Sequence, residues 1–224
     1  MNIMSDKSFH HPWNGEHAQK FAMSAENMKK TRYIPFAEEI YDFIYRYGKR
    51  ENPIIVDIGC GPGFLLFEIA KLMPNSELIG VDSSEDMLRI ARKKAAEKGL
   101  NSIAFKFGPA EKIPLPDNYN DVVVCLSSFH DFNNTKTVLS EVYRITKKNG
   151  IFILKDKNGA YPKWKVVLGF IPLIFRSGIK RTVRYFKSNE LWLDPEGVKE
   201  LMKNIGFNIE YFKKKIDYLL VGKK

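Results

Sequence analysis

The run Ile54-Ile55-Val56-Asp57-Ile58 feeds straight into Gly59-Cys60-Gly61-Pro62-Gly63, and Phe64 to Met73 then carries apolar residues at helical spacing up to Pro74. A short, nearly unbroken apolar run reads as a strand buried on both faces, the kind found in parallel sheets with helices on either side. A glycine-rich turn between such a strand and a helix marks the first βα unit of a doubly wound α/β fold. This junction therefore constrains the chain more than any other feature.

The same rhythm repeats downstream. Glu77 to Val81 reads as a second strand ending at Asp82, and Ser83-Ser84-Glu85-Asp86 gives a capped, acidic helix start. Met87, Ile90, Ala91 and Ala95 form one apolar face of that helix, and Gly99 is placed to stop it. Ile103 to Phe107 reads as a third strand, and the loop from Gly108 to Asn120 holds three prolines. Asp121 to Leu126 is the fourth strand, Thr135 to Lys147 a helix closed by Asn149-Gly150, and Ile151 to Leu154 the fifth strand. Asp194-Pro195 opens a last helix reaching Ile205, and the strand-like runs Phe207 to Phe212 and Tyr218 to Val221 lie close enough to form only a hairpin. Repeated βα units predict a parallel sheet covered on both faces and finished by an antiparallel edge.

The stretch from Lys157 to Asn189 breaks the rhythm. It contains Tyr161-Pro162-Lys163-Trp164, an apolar run from Val166 to Phe175 around Pro172, and then Lys180, Arg181, Arg184 and Lys187. A connection of that length needs structure of its own, so one or two short helices over the carboxyl edge of the sheet are expected. The 224 residues suit one domain with one insertion. Its parts are an N-terminal flap with helices (residues 1–50), a core (51–156), a cap insertion (157–190), and a C-terminal helix and hairpin (191–224).

Composition removes several classes. Hydrophobic residues make up 44% of the chain, too many for a disordered one. No apolar stretch approaches the roughly 20 residues that span a bilayer. Met1 to Trp13 carries His10, His11 and polar residues where a signal peptide needs an apolar core, so a cytoplasmic protein is expected. Cys60 and Cys125 are the only cysteines and neither has a C-x-x-C partner, which predicts no zinc site, no disulfide framework and no metal. A net charge of +10 admits an anionic partner, whether nucleic acid, a phosphorylated substrate, or a membrane surface reached through Val166 to Phe175 and the basic residues after it. The plainer reading is a solvated face, because the basic residues interleave with glutamates from Arg89 to Lys98 and crowd the end of the chain, and no nucleic-acid-binding motif accompanies them.

The loop's spacing narrows its ligand. A dinucleotide fingerprint places its third glycine at the sixth position, which here is Phe64. The glycines instead alternate, letting backbone N–H groups approach a ligand, and Asp57 stands two residues before the first. An acid there repels a pyrophosphate but suits an ammonium. Asp82, about 20 residues beyond the loop at a strand end, is placed to accept hydrogen bonds from ribose hydroxyls; its competing role is to cap the next helix, which Ser83 or Ser84 serves equally well.

Val56-Asp57-Ile58-Gly59-Cys60-Gly61-Pro62-Gly63 resembles motif I of class I S-adenosylmethionine-dependent methyltransferases, and Val81 to Leu88 resembles their motif II. Phe107-Gly108-Pro109-Ala110-Glu111-Lys112-Ile113-Pro114-Leu115-Pro116 is similar to a signature of the ubiquinone/menaquinone-methyltransferase-like branch, and Arg144 to Gly150 to the turn before strand five. The resemblance runs from about residue 35 to the C-terminus, with a gap over Lys157 to Asn189. It implies a seven-stranded sheet of order 3-2-1-4-5-7-6 with the last strand antiparallel, and S-adenosyl-L-methionine as cofactor, leaving as S-adenosyl-L-homocysteine. By position it brings Gly59, Gly61 and Gly63 close to the cofactor, Asp82 to the ribose, and Ser83 and Met87 to the adenine ring. Ala110 and Glu111 would border the adenine amino group, and Leu126 would offer its carbonyl to the methionine ammonium. Asp57, Cys60 and Pro109 complete the expected cofactor-binding set, although Pro109 stands where the branch carries an aspartate and so removes one side-chain contact.

Methyl transfer asks for in-line placement and exclusion of water, and for a base only when the nucleophile carries a proton of high pKa. The candidates follow strand four, where His130 with neighbouring Asp131 would act as base, or His130 would merely line the pocket. Tyr33 is the expected closing residue of a flap that also contains Trp13, His17 and Phe21. In the insertion, Trp164, Phe170, Phe175, Tyr185 and Phe186 point either to an apolar or aromatic small-molecule acceptor or to simple burial of the cap. The alternatives are an RNA methyltransferase using the basic surface and a cofactor-binding module without chemistry.

Overall fold

The computed structural model describes residues 13, 15–48, 50–162 and 193–224. The expected sheet is present: seven strands in the order β3-β2-β1-β4-β5-β7-β6. The strands are β1 (Ile54–Ile58), β2 (Glu77–Asp82), β3 (Ala104–Phe107), β4 (Asn120–Leu126), β5 (Thr146–Lys157), β6 (Asn208–Lys214) and β7 (Asp217–Lys223). The first five pair in parallel. β7 pairs antiparallel with both β5 and β6, so the antiparallel strand lies inside and β6 forms the edge.

Alternation along the strands builds two cores. Ile55, Val122, Val124, Ile151, Ile153, Leu219 and Val221 meet α2 (Ile34–Phe43), α3 (Phe64–Leu72) and α4 (Glu85–Glu97) on one face. Their neighbours Val56, Val123, Cys125, Phe152, Leu154 and Leu220 meet α5 (Thr135–Ile145) and α6 (Pro195–Ile205) on the other. Continuous apolar runs are thus the signature of a sheet with no solvated face. Helix α1 (Gly15–Asn27) adds to the first of these cores through buried Ala25 and is linked to α4 by the Lys94–Glu26 ion pair at 2.9 Å.

Local signals place the helix ends. Ser84 Oγ accepts from the Met87 N–H, and Asp194 accepts from the N–H groups of Glu196 and Gly197 ahead of Pro195. Gly99 follows α4 with φ of +70°. One boundary differs from the sequence reading: α5 stops at Ile145, because Thr146 takes extended geometry and already pairs with Asn120. β5 therefore runs from residue 146 to 157 and overhangs β4 at its carboxyl end, where Leu126 pairs with Lys155. Most of the cap expected over residues 157–190, from 163 onward, lies outside the described residues, as do His10 and His11. Among the described residues no helix is long and apolar enough to cross a membrane, and both cysteines are free and buried.

Candidate functional site

Two adjoining cavities open where β1, β2 and β4 end. The larger, about 600 Å³, lies against Asp82 to Asp86, Gly108 to Glu111 and Phe132. The smaller, about 90 Å³, lies against Asp57, Cys60, Gly61, Leu126, Arg32 and Tyr33. Trp13, Gly59, Ser128 and Asp131 line both, so they mark the junction.

The glycine loop does not present its backbone donors to these spaces, contrary to the expectation from the sequence. Gly59 and Cys60 donate to the Val81 carbonyl at 2.8 and 3.1 Å, and Gly63 donates to the Cys60 carbonyl at 3.1 Å. The Gly61 N–H reaches Asp82 Oδ2 at 2.8 Å, and Pro62 has no N–H to offer. A loop that cradles phosphate must leave such donors open; this one has spent three of them on β2 and the fourth within itself. Gly59 and Gly61 do face the cavities, but Gly63 does not: a Cβ there would meet the rings of Phe67 and Phe105 at 3.0 and 3.2 Å. Its φ of +79° makes the turn into α3. Gly59 serves close approach, since with φ of +68° an added Cβ would lie 2.6 Å from Ser128 Cβ.

Acids supply what the loop withholds. Asp82 accepts from the Gly61 and Ser84 N–H groups, both at 2.8 Å, which fixes its carboxylate at the floor of the larger cavity. Burial raises its pKa against the pull of those backbone donors. Asp57 is only 2% exposed. Burial, reinforced by the negative charge of Asp82, pushes its pKa well above the usual carboxylate range. Burial raises Cys60 in the same way, so its thiol is a packing group rather than a nucleophile.

The N-terminal segment covers the smaller cavity through an irregular helix. A π-helical turn at Lys29–Tyr33 carries Arg32 and Tyr33, both of which line the smaller cavity, and such turns are frequent at functional sites. Tyr33 packs on Phe64 with ring centroids 5.7 Å apart, and burial raises the pKa of its hydroxyl. Trp13 packs edge-on against Phe21 at 4.8 Å, and its carbonyl accepts from the Ser84 hydroxyl. The Gly15 N–H donates to Asp86 at 2.6 Å, so the flap is pinned to the start of α4. Arg32 escaped the sequence reading; its position one residue before Tyr33 was its only signal.

The other expected residues divide between the cavities. Ser83, Pro109, Ala110 and Glu111 line the larger one, Met87 and Leu126 the smaller. Glu111 points its Oε1 at the N–H groups of Asn133 and Asn134, at 3.0 and 3.4 Å, and so ties the third loop to the fourth. Asp131 sits at the junction, whereas His130 borders neither cavity directly. His130 Nδ1 lies 2.7 Å from Asp156 Oδ1, and its Nε2 lies 3.5 Å from Asp131 Oδ1. Asp156 was missed because the sequence reading ended β5 at Leu154. Its signal was parity: Phe152, Leu154 and Asp156 share one face of β5, and an acid in a buried register is unusual.

These residues fit a nucleoside that is cationic and carries an amino-acid tail: Asp82 lines the larger cavity, Asp57 and Arg32 line the smaller, and the loop N–H groups are already paired. Comparison with known proteins agrees. Residues 49–190 match the model of a methyltransferase domain family. The demethylmenaquinone methyltransferase of Symbiobacterium thermophilum is 30% identical over 182 residues, covering 74% of this chain and 72% of that one. The uncharacterized methyltransferase YcgJ of Bacillus subtilis is 30% identical over 136 residues, 61% of this chain, and the match spans only 53% of that relative's length. Among solved structures, a SAM-dependent methyltransferase from Aquifex aeolicus superposes with a TM-score of 0.70 at 18% identity, covering 92% of this chain and 97% of the other.

Proposed function

This chain belongs to the S-adenosylmethionine-dependent methyltransferase family, and from that premise we propose that it methylates a small-molecule acceptor, apolar or aromatic in part, by in-line displacement. S-adenosyl-L-methionine, when bound, supplies a methyl group made electrophilic by its sulfonium. The chain's own residues do the rest. Asp82, already fixed by two backbone N–H groups, would hold the ribose hydroxyls. Asp57 would take the ammonium and Arg32 the carboxylate of the methionine moiety. Tyr33 and Trp13, carried by the flap, exclude water from the junction, where a displacement gains most from fixed geometry.

The observation that carries the reading is the sign of the cleft. Asp82, Glu85, Asp86, Glu111 and Asp131 line the larger cavity, and no lysine or arginine lines it among the described residues. Such a lining welcomes a sulfonium and opposes a polyanionic acceptor. The similarity to a demethylmenaquinone methyltransferase supports a small apolar acceptor. We keep the cytoplasm as the working compartment, in accord with two free, buried thiols.

The test is transfer of labelled methyl groups from the cofactor into a fractionated cell extract. Label in the small-molecule, solvent-extractable fraction is the expected result. Label in RNA would replace the acceptor class, and no label in any fraction would reduce the protein to a cofactor-binding module.

A further inference from the structure

Where β4 ends, the chain takes a backbone conformation that its residue does not favour. Ser127 has φ of +52°, in the left-handed region, although it is not a glycine. A Cβ crowds the following carbonyl oxygen there, so a serine keeps strain that a glycine escapes. The turn itself has a clear task. The Ser127 N–H donates to the Lys155 carbonyl at 2.8 Å, which holds the strand end against β5. The next residue then meets the glycine loop: Ser128 Oγ donates to the Ile58 carbonyl at 3.2 Å and lies 3.2 Å from Cys125 Sγ. Glycine would make the same turn at no steric cost. A strained residue in the wall of a site points to a use for its side chain.

That wall is the smaller cavity. Ser127 lines it between Leu126, which lines it too, and Ser128, which lines both cavities. The residue is half-buried. Among the described residues its hydroxyl has no hydrogen-bond partner, whereas the hydroxyl of Ser128 is engaged. The donor occupies other groups: Asp82 for the ribose, Asp57 for the ammonium and Arg32 for the carboxylate. The cofactor's charges and ribose hydroxyls thus have partners without Ser127. What still lacks a polar partner at this wall is the second substrate.

We propose that Ser127 Oγ binds the methyl acceptor, through a hydrogen bond to a hydroxyl, amino or carbonyl group on or next to the atom that is methylated. This rests on the methyltransferase reading above and narrows its acceptor class. A serine hydroxyl donates and accepts, so it serves each of those groups. The bond decides which atom of the acceptor faces the methyl group. The electron pair of that atom forms the new bond to carbon, the pair of the broken C–S bond stays on sulfur, and a proton displaced from the methylated atom goes to solvent. Ser127 itself gains and loses no proton. A plain thioether has no such group and gains no hold here.

The experiment compares Ser127→Gly and Ser127→Ala with the unaltered full-length protein. Both remove the hydroxyl, but only glycine also removes the strain. Affinity for S-adenosyl-L-homocysteine by calorimetry should be unchanged in both, and Ser127→Gly should melt no lower than its parent. Transfer of labelled methyl groups into a cell extract should fall about 10-fold or more in both, because the acceptor loses its hold on the in-line geometry. The labelled product of the unaltered protein should carry its methyl on or next to a hydroxyl, amino or carbonyl group. Parental transfer by Ser127→Gly would overturn the proposal, as would a lowered melting temperature, which would mean that the hydroxyl serves the fold. Weaker binding of S-adenosyl-L-homocysteine would move Ser127 to the donor, and a product without such a polar group would also contradict the assignment. Failure of the two readings is distinguishable. No binding of S-adenosyl-L-homocysteine by the unaltered protein sinks the donor assignment, and binding without transfer sinks the acceptor and Ser127 together. Binding with transfer that survives Ser127→Gly sinks only the role of Ser127.

Discussion

The outside of the molecule and the inside of its cleft have opposite signs. Lys and Arg number 36 against 26 Asp and Glu over the whole chain, yet the larger cavity is lined by five carboxylates and, among the described residues, by no basic side chain. Two of these acids are paired with arginines, Glu85 with Arg92 and Asp86 with Arg89, each at 2.6 Å. Deeper in, Asp82 and Glu111 take their hydrogen bonds from backbone N–H groups, which leave the formal charge in place. Total charge therefore describes the solvated exterior, while strand ends and backbone donors set the charge of the site. A cation is repelled at long range and held at close range; a polyanion meets the reverse.

The largest effect that bears on this contrast is expected from Gly59→Ala. The added Cβ meets Ser128 at 2.6 Å from a backbone with φ of +68°. Left-handed strain of about 1–2 kcal/mol and overpacking of about 1–3 kcal/mol, if relieved by displacing the loop from the site, together predict about 30-fold or greater loss of cofactor affinity by calorimetry. Asp82→Ala comes next, at about 1.5–3 kcal/mol, the scale of charge-assisted hydrogen bonds. It should also lower the melting temperature of the cofactor-free protein, because two loop N–H groups lose their acceptor. Unchanged affinity would show that the acid shapes the loop without reading the ligand.

Acidity tests the same comparison more gently. The folded-state pKa values of Asp57 and Asp82 are raised, Asp57 strongly. Groups raised in this way contribute stability that is present below the unfolded carboxylate range and is lost as pH rises through the folded values. Cofactor affinity should run oppositely, climbing with pH up to about tenfold per unit for one such group, since a cation binds the ionised carboxylate. A pH-independent dissociation constant would remove Asp57 from the ammonium site. The smallest effect belongs to the exterior: exchanging exposed Lys213 and Lys215 for glutamate should change cofactor affinity by less than about 0.5 kcal/mol while reducing RNA retained on filters at low salt. An equal loss of both would mean that the two surfaces act as one.

The caps at Ser84 and Asp194 and the positions of Gly59, Asp57 and Asp82 were legible because each rests on a local rule of spacing or backbone conformation, whereas the sheet order came from the resemblance of the motifs to a known family. What escaped depends on contacts between distant segments. That the N–H groups of Gly59, Cys60 and Gly61 are spent on Val81 and Asp82 follows from the pairing of β1 with β2, which no local pattern reveals. The neighbour of His130 looked like Asp131, adjacent in the chain; its tighter partner is Asp156, 26 residues away and brought in by the overhang of β5 past β4. Arg32 lines the smaller cavity from a π-turn, a backbone feature that no local sequence pattern announced.

The central claim is that this glycine loop serves a cationic nucleoside and not a phosphate. Calorimetric titration with S-adenosyl-L-methionine, repeated in the presence of excess NAD, tests it most directly. One-site binding of the sulfonium compound, undiminished by the dinucleotide, is the predicted result. Displacement by NAD, or binding of NAD alone, would contradict it.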